Sequence, residues 1–170
     1  MPPAPRAPEG PASPLAVFNT APGEAAEASL LACCGSRRWA RRVAAHRPYP
    51  TVDALLAAAD EAGYDLSRAD LDEALADEAA PALPPGTPPA AHTALRAAHD
   101  VYEGRFGHAF VICLAGHHPA EHLDQVLGGI RSRLGNDPDE ERAVSAEEMR
   151  RLTRARLARL IGHTSYPSFE

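Results

Sequence analysis

At 170 residues and 18.0 kDa the chain is long enough for one domain with a substantial core. Its net charge of −6 and pI near 5.7 exclude generic nucleic-acid binding, because no basic excess exists to displace counterions from phosphates. No apolar run approaches the roughly 20 residues that span a bilayer, so no membrane partner is expected.

The hydrophobic fraction is 45% but aromatics are only 5%, so the core is expected to be mostly alanine, leucine and valine. Alanine and leucine are strong helix formers, which points to an all-α fold. The three cysteines, Cys33, Cys34 and Cys113, are an odd count with an adjacent pair. That is a poor disulfide framework and favours a reducing cytoplasm.

Residues 1–14 are Pro/Ala-rich without an apolar core and read as a disordered lead-in rather than a signal peptide. The first helix is expected to start at Asn19 or Thr20, with Pro22 in its first turn, and to run to about Cys34 before Gly35. Ser36 caps a second helix, anchored by Trp39, that stops at Arg47 before Pro48. Thr51 caps a third, in which Val52, Leu55, Leu56 and Ala59 share one face. Ser67 and Asp70 form a capping-box pattern for a fourth, which carries Leu71 and Leu75. From Ala79 to Ala90 the density of prolines permits only a loop.

A fifth helix spans about Ala90 to Phe106, with Gly107 at its end in a left-handed cap position. Phe110 to Leu114 then forms an unbroken apolar run closed by Gly116, too short for a helix of its own. It reads as extended or tightly turned backbone threaded through the core. Such a segment either holds a small ligand or serves as ordinary core. Pro119 opens a sixth helix with an inward stripe of Leu123, Val126, Leu127, Ile130 and Leu134. Asn136-Asp137-Pro138 opens a last, long helix to about Ile161, with Met149, Leu152, Leu160 and Ile161 inward. The architecture expected is a single helical bundle of about six to seven helices over 15–163, followed by a tail, 164–170.

Of the eight histidines, His118 and His122 have metal-ligand spacing, but Pro119 puts His118 before the first turn and no acidic third ligand sits at a matching offset. No metal site is expected. His108, beside the buried run, is either a general acid/base or a packed side chain. Arg156 falls between Leu152 and Leu160 on the apolar side of the last helix. A guanidinium there needs an anion, from another helix or from a ligand. Arg131 and Arg133 sit at a helix end, where positive charge is favourable without further function.

Several motifs, taken together, resemble one family. They are Phe18-Asn19-x-Ala21-Pro22, Leu30-Leu31-x-Cys33-Cys34-x-Ser36-x-x-Trp39 and Arg47-Pro48-Tyr49, then Tyr102-x-x-Arg105-Phe106-Gly107-His108-x-Phe110-Val111-Ile112-Cys113-x-x-Gly116, Arg133-Leu134-x-Asn136-Asp137-x-x-x-Glu141 and Arg156-Leu157. The chain is similar, from about Phe18 to Ile161, to decarboxylases of 2-oxo-4-hydroxy-4-carboxy-5-ureidoimidazoline (OHCU). The resemblance implies an all-helical homodimer that acts on a small anionic heterocycle. Without a cofactor, its carboxylate leaves as CO2 and the carbanion is protonated to (S)-allantoin. It implies that the backbone of Phe110, Val111, Ile112 and Cys113 meets the heterocycle and that Arg156 binds substrate. The family's catalytic His-Pro pair aligns with Glu78-Ala79, its Glu-Gln pair has no counterpart in the Pro-rich segment, and its Asn before the tyrosine is His99. Glu78, with His99 or His92 and His108, is therefore the candidate set for proton transfer. The alternative is a diverged paralogue that binds or transforms another small anionic ligand.

Overall fold

A computed structural model describes residues 11–162; residues 1–10, the 164–170 tail and His163 lie outside them. Among the described residues the chain forms eight α-helices, one 3₁₀ turn and no strand. That is slightly more than expected, because a short helix precedes the first expected one, and Asn19 and Thr20 lie inside it and do not cap the next. Ser13 caps a short α1 (Pro14–Thr20), with Pro14 in its first turn, and Pro22 precedes α2 (Gly23–Leu31). The Ser-Pro start signal was hidden inside a Pro/Ala-rich run, and the extended backbone of Ala21 before Pro22 separates the two.

The next three starts follow their caps. The Ser36 hydroxyl accepts the Trp39 N–H at α3 (Arg37–Ala45), and Thr51 accepts from Ala54 at α4 (Val52–Tyr64). Ser67 and Asp70 close a reciprocal capping box at α5 (Arg68–Ala76). The Pro-rich stretch is a loop up to α6 (Pro89–Phe106), which ends at Gly107 with φ +78°. Pro119–Glu121 makes the 3₁₀ turn, α7 runs His122–Arg133, and Asp137 caps α8 (Pro138–Leu160).

The helices α2, α3, α4 and α8 pack in succession around the larger core, which holds Leu30, Trp39, Val43, Leu55, Leu75, Met149 and Leu157. Trp39 is buried and donates its indole N–H to the Ala59 carbonyl at 3.0 Å. A smaller core of Leu95, Tyr102, Phe110, Val126 and Ile130 lies between α6 and α7. The irregular segment 109–114 joins the two: Phe110 belongs to the smaller core and Val111 to the larger. Extended backbone sends successive side chains to opposite sides, so one segment serves both.

On α8 Met149 and the cap residue Ile161 are buried as expected and Leu152 packs against the larger core, but the rest of the inward face differs from the expected one. Glu141, Ser145, Met149, Thr153 and Leu157 are buried at four-residue steps, while Leu160 is 45% exposed. The core face of this helix is largely polar, which is why its apolar pattern misled. Leu152 also borders a cavity, together with Arg156.

Candidate active site

The segment 110–113 is fixed by partners from three helices. The Phe110 N–H donates to His99 Nε2 of α6 at 3.2 Å. Arg133 of α7 donates from Nη1 to the Val111 carbonyl at 2.7 Å, and Glu148 of α8 accepts the Cys113 N–H at 2.7 Å. A buried backbone without a ladder must find such partners, and these side chains supply them.

Behind the segment stands a buried ionic network. Arg133 donates to Glu141 Oε1 from both Nε (2.8 Å) and Nη2 (2.6 Å), Asn136 donates to Oε2 at 2.9 Å, and the Tyr102 hydroxyl also bonds Glu141. Glu141 is wholly buried. Burial alone would raise its carboxyl, but Arg133 and Tyr102 outweigh that and hold it below the usual carboxylate range. Burial, reinforced by the Glu141 charge, pushes the Tyr102 phenol upward. The Arg133 guanidinium also lies 4.3 Å from the Phe110 ring centroid, and Tyr102 meets the same ring edge-on at 5.1 Å. Arg133 is thus a buried pin and not a helix-end charge alone. Gly129 completes the seat, since a Cβ there would lie 2.9 Å from the tip of Phe110.

In front of the segment is a cavity of about 570 Å³. Its walls include residues 110–117, the loop residues Glu78, Ala79, Pro81 and Ala82, and the α8 residues Leu152, Arg156 and Arg159. Glu78 follows directly on α5, whose C-cap Asp77 comes so close to the 32–36 turn that a Cβ on Gly35 would meet it at 2.7 Å. That approach delivers Glu78 to Arg156: the two form a bidentate pair at 2.6 and 2.9 Å, and Arg156 also donates to the Cys33 carbonyl at 3.2 Å. The hydrogen bond from Glu78 comes first among the causes that raise the Arg156 guanidinium above its ordinary value. Of the two anion sources open for Arg156, the protein itself provides one. Arg159, exposed at the rim, makes no ion pair among the described residues.

The sequence-derived candidates therefore divide. Glu78, Arg156 and the 110–113 segment share the cavity. His99 and His108 do not line it. His99 is buried as the acceptor for Phe110, with Nδ1 3.7 Å from Glu103. His108 bonds the Ala109 carbonyl through Nδ1 at 2.9 Å and packs against Tyr102 and Phe106. The histidines on the wall are His117 and His122; His117 carried no periodic signal, and His122 stood out only for its spacing from His118, which pointed to a metal and not to this cavity. His118, by contrast, caps the 3₁₀ turn by accepting the Ala120 N–H.

Cys33 and Cys34 are buried thiols; burial first, then the neighbouring thiol, pushes Cys33 up to about 11. Among the described residues no group of three or more metal-ligating side chains comes together, and no helix is long and apolar enough to cross a membrane.

A closed helical fold with one irregular segment bent around a cavity defines a scaffold for a small ligand. The sequence pattern of the OHCU decarboxylase family matches residues 19–82 and 76–158, two pieces that meet where α5 gives way to the Pro-rich loop. The chain belongs to the OHCU decarboxylase family. Its fold is similar to that of an OHCU decarboxylase solved in the presence of (S)-allantoin, with a TM-score of 0.67 at 23% identity over 83% of this chain and 99% of that one. It is also similar to an (S)-allantoin synthase, with a TM-score of 0.64 at 18% identity over 86% of this chain and 54% of that one. No match was found among curated proteins.

Proposed function

We propose that this cavity carries out the cofactor-independent decarboxylation of OHCU, or of a closely related ureido-heterocyclic acid, in urate breakdown. One juxtaposition supports the reading: the 110–113 backbone and Arg156 line the same cavity in a chain of this family. The cavity volume, about 570 Å³, lies within the range of small-molecule sites. Cleavage of the C–CO2 bond leaves an electron pair that positive charge and hydrogen-bond donors must stabilise. Arg156 spends three of its five N–H donors on Glu78 and Cys33, which leaves two for the ring. Arg159, without an ion pair among the described residues, is the cation assigned to the substrate carboxylate at the rim. A cytoplasmic homodimer belongs to the same reading, and light scattering on the full chain tests its dimeric part.

The Glu78–Arg156 pair favours a second reading, in which the chain binds a neutral ureido-type ring without decarboxylating its acid. A further anion beside Glu78 would meet a carboxylate already in place. Freshly generated OHCU, followed by the circular dichroism of the allantoin formed, decides between them. The first reading expects acceleration and one enantiomer. A rate equal to that without protein overturns it, and calorimetric binding of (S)-allantoin by the same sample would then support the second.

A further inference from the structure

Decarboxylation to allantoin needs a proton for the ureido-bearing carbon beside the one that CO2 leaves, and the cavity restricts where it comes from. Six titratable side chains line it: Glu78, Cys113, His117, His122, Arg156 and Arg159. Glu78 has both oxygens committed to Arg156. Guanidinium groups do not release protons near neutrality. The Cys113 thiol is driven upward by burial, and Glu148 adds to that, so it is a poor donor. Two imidazoles remain, and imidazole is the side chain that exchanges protons near neutral pH.

The two differ in how they are held. His117 is exposed, 41% by side chain, with Glu121 at 4.0 Å from its Nδ1. His122 is half-buried at the start of α7, and its Nε2 lies 3.3 Å from the His117 carbonyl. A carbonyl oxygen only accepts, so Nε2 carries a hydrogen and Nδ1 is the nitrogen left to gain and lose a proton. The backbone turn that closes the apolar segment thereby fixes the ring that faces the cavity.

Resting on the decarboxylation reading above, we infer that His122 is the catalytic acid of this chain and delivers its proton from Nδ1. The C4–CO2 bond breaks heterolytically, CO2 departs, and the electron pair forms a C4=C5 double bond while the C5=N pair moves onto the ring nitrogen. The imidazolium Nδ1–H bond then breaks toward C5, the ureido-bearing carbon, and a C5–H bond forms. The C4 hydroxyl becomes the carbonyl as its proton passes through solvent to the ring nitrogen, and solvent reprotonates the neutral imidazole through the open mouth. The acid thus stands on the wall built by 110–117 and α7, away from the loop that holds Glu78.

The test compares the full-length wild type with His122→Gln, which keeps a donor for the His117 carbonyl but cannot exchange a proton, and with His46→Gln as a remote control. With OHCU, His122→Gln should lower kcat by about 100-fold or more while KM changes little. The limb of the pH–rate profile that reports the catalytic acid should vanish, the enantiomeric excess should fall, and added imidazole should restore part of the rate. His46→Gln should match the wild type. If His122→Gln fails to fold, His122→Asn is read by the same criteria. An active wild type with an equally active, folded His122→Gln overturns this assignment alone. A wild type that does not accelerate OHCU loss overturns the decarboxylation reading and this assignment with it.

Discussion

The back and the front of the cavity are built by opposite strategies. Behind the 110–113 segment, Arg133, Glu141, Tyr102, Asn136, His99 and Glu148 fix carbonyl, amides and ring from three helices. In front, residues 79–88 carry no helix, and one ion pair, Glu78 with Arg156, joins that wall to α8. A cradle can therefore keep its shape while the wall facing it is rebuilt, because the two share almost no stabilising groups. Ligand placement and proton supply become separable properties of one pocket.

The sharpest way to break the contrast is to unpin the back. Arg133→Met strands a buried carboxylate and should cost about 3–5 kcal/mol in urea unfolding, much of it recovered when Glu141→Leu is added. His99→Leu leaves the buried Phe110 N–H without an acceptor and should cost about 1–3 kcal/mol, with a raised KM for OHCU.

Acidification probes the same network. The folded Glu141 carboxyl lies below its ordinary value, so its contribution is complete above the unfolded carboxyl range, about 4.3, and is lost as pH falls through the folded value. Wild-type stability should drop on acidification below about pH 4, and Glu141→Gln should flatten that dependence while it lowers stability at neutral pH.

The front should respond differently. Glu78→Gln should alter stability by about 1 kcal/mol or less, because the Arg156 partner is one-third exposed. Yet it frees a guanidinium and should lower KM for the anionic substrate up to about tenfold, with kcat little changed. The smallest effect is expected at Gly86 (φ +82°), in the turn where the Thr87 N–H bonds the Pro84 carbonyl. Gly86→Ala should cost about 1 kcal/mol in thermal unfolding and leave turnover alone.

Legibility in the sequence follows the same divide. Caps such as Ser36, Thr51, Ser67 and Asp137 act within a few residues, so the sequence announces them locally. The 109–114 segment was visible because two glycines bound it and its apolar run is too short for a helix. The partner of Arg156 was not, because Glu78 lies 78 residues away and only the packing of α5 on the 32–36 turn brings it in. Arg133 looked like a dipole-compensating charge because burial is a property of three packed helices, not of a helix end. His99 and His108 sat beside the right segment but on its far side, since proximity along the chain does not state which face of an irregular backbone looks into a cavity.

α7 carries His122 at its first position, on the cavity wall, and Arg133 at its last, bonded to Val111 beneath the floor. Twelve helical residues make a rod of about 18 Å. That rod acts as a ruler: it sets the height of the mouth above the floor by counting turns, independently of what the Pro-rich wall opposite becomes. The depth to which a ring can enter is therefore a length written into one helix, and lengthening α7 by a turn would change the reach of the site without touching any residue that lines it.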